Sequence, residues 1–374
     1  MQYKNAYIYT ESFKFEKGCF SVEDGKFADV LGEEKPGAVD LKGAYVIPGV
    51  IDIHSHGNSG SDFSDGDYEG LEKMAYYYAA NGVTSFAATS LTLPYDVLEK
   101  AFANARRLAD NRPAGAARVM AVHMEGPFFC EARKGAQNAA HLRNPDYDAF
   151  KKLNDSCGGL IKLVDVAPEL PGSVEFIQKA SKVATVSIAH TDTDYDHAAA
   201  GIDAGATQLT HLFNAMNGIH HRKPGPIVAA SEDERVTAEI IGDGLHVHPA
   251  CVRFAFKVFG VERMVIISDS LRCCGMPDGE YEIGGQMAYL KDGVARLGDG
   301  TIAGSATNCF ECMQRVISFG IPKEDAIRAA TYNPARQIGC LDRAGSIADG
   351  KLADFVICDE ALNRKEVYIG GEKL

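Results

Sequence analysis

The sequence of 374 residues is 46% hydrophobic and 24% charged, a composition that is typical of a globular enzyme and excludes a fibrous or disordered protein. Its formal net charge of −13 argues against nucleic acid or an anionic membrane surface as the main partner. No apolar run approaches the roughly 20 residues of a membrane-spanning helix. Residues Met1 to Thr10 lack the pattern of a signal peptide. We therefore expect a cytoplasmic protein with neither a nucleic-acid nor a membrane partner.

Both ends of the chain consist of short alternating segments that are separated by Gly, Asp and Lys turns. These segments are Ala6 to Thr10, Cys19 to Glu23, Asp354 to Cys358 and Glu366 to Ile369. The pattern predicts one small β-sandwich domain formed from both termini, residues 1–45 and 345–374.

Between the two ends, apolar β-rich runs alternate with segments of helical pattern, as βα units require. The eight runs are Val46 to Ile53, Val83 to Thr89, Arg118 to His123, Leu160 to Val166, Ala184 to Ala189, Ala206 to Thr210, Val236 to Ile241 and Met264 to Ser268. Helices are predicted at Tyr68 to Asn81, Tyr95 to Asp110, Gly172 to Lys182, Tyr195 to Asp203 and Pro249 to Phe259. This order predicts an α/β fold, a (β/α)8 TIM-like barrel, over residues 46–344, with a β-hairpin insertion near 279–299.

Side chains that can bind a metal fall directly after predicted strands. They are His54 and His56 at the first strand, Glu125 after the third, His190 at the fifth, His211 at the sixth and Asp269 at the eighth. Because a barrel of this kind builds its active site from the C-terminal ends of its strands, all of them would converge on one mouth. Each residue alone could instead cap a strand or a helix, but the joint placement favours a metal site.

Histidine nitrogens and carboxylate oxygens suit Zn²⁺ or Fe²⁺, and the absence of cysteine from the set indicates a catalytic rather than a structural site. One or two ions could bind. If Glu125, His190 and His211 hold one ion, His54 and His56 are free to hold another. A bound ion lowers the pKa of its water from about 15.7 towards 7. Asp269 is then the natural base, which accepts the water proton and passes it to the leaving nitrogen of an amide.

Several motifs resemble those of the N-acetylglucosamine-6-phosphate deacetylases, a family of the amidohydrolase superfamily. The motifs are PGVIDIHSHG at 48–57, HMEGPF at 123–128, THLFNAM at 210–216, DGLH at 243–246 and AGS at 303–305. The H-x-H pair alone is common to the superfamily, whereas HMEGPF together with THLFNAM is far more specific. The resemblance implies hydrolysis of N-acetyl-D-glucosamine 6-phosphate to D-glucosamine 6-phosphate and acetate.

The resemblance also implies roles for individual residues. Glu125, His190 and His211 would be the principal metal ligands, Asp269 the acid and base, and His54 with His56 a second metal site that some members lack. The implied substrate-binding residues are Gln137, Asn214, Ala215, Arg222, His246 and Ala303.

Two of these residues, and the neighbour of a third, carry further expectations. Arg222 matches an arginine that binds the phosphate and is supplied across a dimer interface, so the resemblance implies a homodimer. Gln137 stands where some relatives have histidine and would lie beside the carbonyl or the hydroxyls of the sugar. Ser270 follows Asp269 at a position where alanine is usual.

Three alternatives stay open. The galactosamine epimer could be the substrate, because one inverted hydroxyl is decided by one or two polar contacts. A cyclic amidase of the dihydroorotase type is disfavoured, since such enzymes place a carboxylated lysine after the fourth strand, where this chain has Val166, Ala167 and Pro168. A sugar-phosphate sensor without catalysis would not need Asp269.

Overall fold

The computed structural model describes all residues from Met1 to Leu374. Eight parallel strands, hydrogen-bonded in chain order, form a barrel, and we number them one to eight. They are Val50–Ser55, Val83–Thr89, Arg118–Met124, Ile161–Val166, Thr185–Ile188, Gln208–Leu209, Thr237–Ile241 and Met264–Ile267. The ring closes beyond strand eight, where the Asp269 N–H donates to the His54 carbonyl at 2.9 Å. The predicted fold class is confirmed.

The barrel strands are almost completely buried, as expected for a parallel sheet with covered faces. Every residue of strands one, two, seven and eight is buried. Most residues of the barrel strands are apolar, but five charged or titratable side chains lie at full burial within them, His54 of the predicted metal site and four others. The four others are Asp52, His123, Asp165 and Glu239.

A helix follows each barrel strand, and two more follow the eighth. The helices are Tyr68–Ala80, Tyr95–Asp110, Tyr147–Ser156, Ser173–Ala180, Tyr195–Ala204, Gly225–Glu232, Pro249–Phe259, Cys309–Ser318, Lys323–Ala330 and Tyr332–Gln337. Aspartates cap several N-termini; the Asp67 carboxylate, for example, accepts hydrogen bonds from the Glu69 and Gly70 amides. Single 3₁₀ turns occur at Phe63–Asp65, Glu131–Arg133, Ala139–His141 and Val261–Arg263. No helix has the length and apolar character to cross a membrane.

The chain termini meet in one eight-stranded sheet beside the barrel. Its strands are Gln2–Tyr9, Phe15–Glu23, Lys26–Ala28, Val39–Asp40, Tyr45–Pro48, Phe355–Cys358, Arg364–Ile369 and Glu372–Lys373. Aromatic rings form its core: Tyr3 stacks on Phe20 with ring centres 5.0 Å apart, and Phe355 stacks on Tyr368 at 4.4 Å.

The predicted first barrel strand, Val46 to Ile53, is divided between the two sheets. Tyr45–Pro48 pairs with Phe355–Cys358 in the terminal sheet, and only Val50–Ser55 lies in the barrel. Gly49 marks the crossing point, where an added Cβ would lie 2.0 Å from the Thr84 hydroxyl oxygen. The continuous apolar run concealed this division because both halves are buried.

The insertion near 279–299 is larger than a hairpin. Four antiparallel strands, Gly279–Ile283, Gln286–Lys291, Val294–Leu297 and Ile302–Ser305, form a meander that packs on Leu91 and Leu271. Its last strand returns to the mouth of the barrel, where Ser305 pairs with Ser270. A two-stranded ribbon, Gly57–Asn58 with Ser61–Asp62, lies after strand one. Because the last strand of the meander pairs with Ser270 at the end of barrel strand eight, the meander forms one wall of the mouth.

Candidate active site

The five predicted ligands and Asp269 do converge at the C-terminal ends of the strands. Glu125 lies at their centre: its Oε1 is 3.1 Å from His190 Nε2, 3.3 Å from His211 Nε2 and 3.4 Å from His54 Nε2. His56 Nε2 lies 3.4 Å from Glu125 Oε2 and 3.3 Å from Asp269 Oδ1. All six side chains are buried. The strand order thus brings together residues that are up to 215 positions apart in sequence (269 minus 54).

Three of these residues have a backbone conformation that favours glycine. The φ angles of His190, His211 and Asp269 are +45°, +32° and +48°. A non-glycine residue in this region costs about 1–3 kcal/mol and persists only where the surroundings impose it. Each residue stands at a strand end, where the chain leaves the barrel wall. These strained turns help to position the three side chains in the mouth of the barrel.

Hydrogen bonds to the outer ring nitrogens fix three of the imidazoles. His190 Nδ1 lies 2.9 Å from the Arg133 carbonyl and His56 Nδ1 lies 3.2 Å from the Thr89 carbonyl. A carbonyl only accepts, so each Nδ1 carries a proton, and in the neutral imidazole each Nε2 then presents a lone pair to the mouth. His54 Nδ1 is 3.0 Å from Glu239 Oε2. Its Nε2 is buried without any hydrogen-bond partner.

These atoms form two groups that fit a cation. Glu125, His190 and His211 make one group, and His54, His56 and Asp269 make the other, with the candidate ligand atoms of each within 4.8 Å of one another. The Nε2 atoms of His190 and His211 are 3.1 Å apart. Two nitrogens at 2.0–2.1 Å from a tetrahedral ion would be about 3.4 Å apart. The buried, unpartnered Nε2 of His54 indicates the same chemistry for the second group.

The electrostatics favour ionised carboxylates at this depth. Burial by itself raises the pKa of Glu125, but the close imidazoles of His190, His211 and His54 outweigh it and hold that pKa well below its ordinary value. Burial also raises the pKa of Asp269, and the hydrogen bond from His56 with the charge of His54 lowers it overall. Both groups therefore offer negative charge to a cation at neutral pH.

A cavity of about 180 Å³ opens onto this cluster. Five of the six predicted substrate-binding residues line it, namely Gln137, Asn214, Ala215, His246 and Ala303. Arg222 does not. Its side chain is exposed, lies 2.7 Å from His221 Nε2 and lines a separate depression with Asp192 and Asp194. Within one chain, the structure therefore separates Arg222 from the other residues.

Two of the cavity residues have fixed orientations. The Gln137 Oε1 accepts a hydrogen bond from the Thr92 amide at 2.8 Å, so its NH₂ group faces Glu125 Oε2, 2.5 Å away. His246 Nδ1 is 2.7 Å from Asp243 Oδ2. Burial lowers the pKa of His246, but the hydrogen bond and the charge of Asp243 outweigh it and leave the pKa raised. A hydrogen-bond donor and an imidazole of raised pKa thus face the same cavity.

Buried polar residues lie beneath the cluster and were not predicted from the sequence. His123 Nε2 lies 2.9 Å from Asp165 Oδ1, and its Nδ1 lies 2.9 Å from the Ile53 carbonyl. Asp52 accepts a hydrogen bond from the Ser268 hydroxyl at 2.5 Å, and burial raises its pKa to about 7. The signal was present, because charged residues inside apolar strand runs are seldom left without a partner.

Comparisons with known proteins agree over nearly the whole chain. Residues 45–374 match the Amidohydrolase family. The N-acetylglucosamine-6-phosphate deacetylase of Bacillus subtilis strain 168 is 36% identical over 363 residues, which cover 95% of this chain and 92% of that protein. The N-acetylgalactosamine-6-phosphate deacetylase of Escherichia coli O157:H7 is 32% identical over 370 residues, which cover 98% of this chain and 97% of that protein.

Solved structures give the same result. The crystal structure of N-acetyl-D-glucosamine-6-phosphate deacetylase from Mycobacterium smegmatis superposes with a TM-score of 0.93 at 32% identity, and the match covers 100% of both chains. A mutant of that enzyme in complex with N-acetyl-D-glucosamine-6-phosphate gives a TM-score of 0.92 and covers 100% of this chain and 98% of that one. The similarity therefore includes both the terminal sheet and the barrel.

Proposed function

The chain belongs to the amidohydrolase family, and from this premise we propose that it hydrolyses N-acetyl-D-glucosamine 6-phosphate to D-glucosamine 6-phosphate and acetate. The resemblance in the motifs is confirmed by relatives that carry this activity in their names. The observation that carries the proposal is the buried cluster itself, in which Glu125 joins two groups of imidazoles beside Asp269. Amidohydrolases are metal-dependent, and this cluster offers the ligands.

Glu125, His190 and His211 would hold one Zn²⁺ or Fe²⁺ ion, and His54 with His56 would hold a second. Glu125 lies between the two groups, since its Oε1 approaches His190 and its Oε2 approaches His56. Such a cation, when bound, supplies a water of lowered pKa and polarises the acetamide carbonyl. The side chains around the cation would bind the substrate and transfer the proton.

Asp269 moves the proton in this proposal. Its carboxylate borders the cluster, with Oδ1 3.3 Å from His56 Nε2, and its lowered pKa leaves it ionised and ready to accept a proton. It takes one proton from the attacking water as the C–O bond forms. It returns that proton to the nitrogen as the C–N bond breaks, so that the sugar leaves as a neutral amine.

The cavity residues would bind the sugar phosphate. The Gln137 NH₂ group is a donor for the acetamide oxygen or a hydroxyl, and the raised pKa of His246 favours the protonated form, which would attract the phosphate. Asn214 and Ala215 lie in the turn after strand six, and Ala303 lies in the wall formed by the meander. Arg222 would reach the phosphate from a second copy of the chain, so we propose a homodimer.

We also propose that the protein acts in the cytoplasm. All ten cysteines are free, and most of them are buried. Free thiols in this number are typical of a reducing compartment.

An acetate-release assay tests the function. Protein with a measured metal content should release acetate from N-acetyl-D-glucosamine 6-phosphate and should lose this activity in the presence of a chelator. Added Zn²⁺ should restore it. The unphosphorylated sugar serves as the control, because equal turnover of both sugars would contradict the phosphate assignment.

A second candidate substrate is N-acetyl-D-galactosamine 6-phosphate. The similarity to a relative named for that activity, over 98% of this chain, favours including it. The same assay with both epimers, expressed as kcat/KM, decides between them. We expect the glucosamine epimer to be preferred, and a larger kcat/KM for the galactosamine epimer would reverse the assignment.

A further inference from the structure

Glu239 is a fully buried glutamate on barrel strand seven that contacts both groups of metal-binding residues. Its Oε2 lies 3.0 Å from His54 Nδ1 and 3.4 Å from the His211 amide nitrogen. Its backbone carbonyl accepts a hydrogen bond from the Leu212 amide at 2.8 Å. One residue therefore supports an imidazole of the first strand and the turn that carries an imidazole of the sixth.

The neighbours of Glu239 present only donors to it. Gln208 Nε2 lies 2.6 Å from Glu239 Oε1, and the orientation of that amide is fixed because Gln208 Oε1 accepts from Gln337 Nε2 at 2.9 Å. A carboxylate that receives hydrogen bonds on both oxygens has no proton of its own to donate. His54 Nδ1 must then be the donor, and in the neutral imidazole this leaves its Nε2 as a lone pair.

His54 differs from the other ligand histidines in this support. The outer nitrogens of His56 and His190 donate to backbone carbonyls, and His211 Nδ1 has no hydrogen-bond partner. Among the four, only His54 bonds to a carboxylate through its outer nitrogen, Nδ1. A carboxylate partner fixes the tautomer and the orientation of a ligand imidazole and increases its basicity, and the loss of such a partner typically lowers metal affinity 10- to 100-fold.

We propose that Glu239 is a positioning residue that sets the cation affinity of the group formed by His54, His56 and Asp269. It acts through His54, whose Nε2 it directs toward that group, and it does not itself border the cavity. The inference rests on the proposed function in so far as both groups bind a cation. Its test measures binding, so a failure to release acetate would leave the inference intact.

The test compares metal-free wild-type protein with Glu239→Gln by calorimetric titration with Zn²⁺, and the bound metal is counted by mass spectrometry. The wild type should bind two ions. In Glu239→Gln we expect one ion to bind about 10- to 100-fold more weakly, while the other keeps its affinity. The amide retains the size of the side chain but cannot accept from all three donors.

Asp165→Asn provides the matched control. Asp165 is also a fully buried barrel carboxylate, but it bonds to His123 and Thr210 rather than to one of the metal-binding histidines. Its variant should leave both affinities unchanged. Circular dichroism and thermal unfolding of the metal-free proteins check that each variant is folded.

Glu239→Asp serves as a second variant, because it keeps the charge but withdraws it from His54. It should show the same selective loss. The inference is wrong if the wild type binds a single ion, if both ions weaken equally, or if the two Glu239 variants bind both ions like the wild type.

Discussion

The terminal sheet and the barrel mouth follow opposite physical rules. The sheet has a core of Tyr3, Phe20, Phe27, Phe355 and Tyr368, whose rings stack or meet edge to face at 4.4–5.9 Å. Such packing stabilises a fold through burial and through aromatic pairs of about 0.5–1.5 kcal/mol each. No member of this core has a left-handed backbone.

The barrel mouth contains what a stable core avoids. Carboxylates and imidazoles are buried there at close range, and His190, His211 and Asp269 adopt left-handed φ angles. Each of these features is destabilising by itself. The contrast indicates that the surrounding barrel supplies stability, while the mouth retains strain and charge for chemistry. Substitutions in the two regions should therefore separate activity from stability.

The largest expected effect is on turnover and comes from Asp269→Asn. Loss of a general acid and base should lower kcat by about 10²- to 10⁴-fold. Asparagine tolerates the φ of +48° that Asp269 adopts, so the thermal unfolding temperature should change little. Initial rates and thermal unfolding of the same preparation check both statements. A variant with wild-type kcat would remove Asp269 from the mechanism.

The opposite result is expected for Phe355→Ala in the terminal sheet. The ring is fully buried and contacts Tyr3, Phe20 and Tyr368, so its loss should lower the free energy of unfolding by about 3–5 kcal/mol. At a temperature where the variant stays folded, kcat should remain that of the wild type. Urea unfolding monitored by fluorescence and acetate-release rates measure the two quantities. A large fall in kcat would show that the two regions are coupled.

The same contrast explains what the sequence could predict. Tyr95–Asp110 and Pro249–Phe259 have the predicted bounds because an amphipathic period and an N-terminal proline mark them. Gly225–Glu232 was missed because it has eight residues and is apolar on most sides. Barrel strand six, predicted as Ala206 to Thr210, has only the two paired residues Gln208–Leu209.

The ligand positions could be predicted because they follow strands, and parallel strands end at one mouth. The distances among them could not, because they depend on the turns at His190, His211 and Asp269, and the enrichment of His and Asp at positive φ is too weak to identify these positions. The support of His54 by Glu239 joins residues 185 positions apart and depends on the barrel register. Arg222 was predicted by resemblance, and within one chain its exposed side chain lines a separate depression rather than the cavity.

Arg222→Ala extends the comparison between effects on activity and effects on stability to an exposed residue. A hydrogen-bonded contact with a charged phosphate is worth about 1.5–3 kcal/mol, so KM for the phosphorylated sugar should rise about 10- to 100-fold with kcat little changed. Lys223→Ala, an adjacent exposed cation, is the control and should keep its KM.

Mixing Arg222→Ala with Asp269→Asn tests the proposed exchange between subunits. A mixed dimer would hold one site with native Asp269 and with Arg222 from the partner copy. At low substrate concentration, the mixture should therefore be more active than the sum of the separate variants. Activity equal to that sum, after subunit exchange has been verified, would contradict the shared site.

The smallest expected effect concerns His246 and the pH dependence of stability. Its pKa is raised in the folded state, because Asp243 outweighs the effect of burial. Because the pKa is higher in the folded state, protonation of His246 stabilises the folded protein. This contribution is complete below the unfolded pKa of about 6.5 and is lost as the pH rises through the folded pKa. The free energy of unfolding of the wild type should exceed that of His246→Gln by at most about 1.5–3 kcal/mol below this pH. Urea unfolding of both proteins at about pH 5.5 and about pH 9 should show the difference shrinking on the alkaline side. A difference that stays constant would mean that His246 contributes by packing alone, and the mouth would then resemble the terminal sheet at this position.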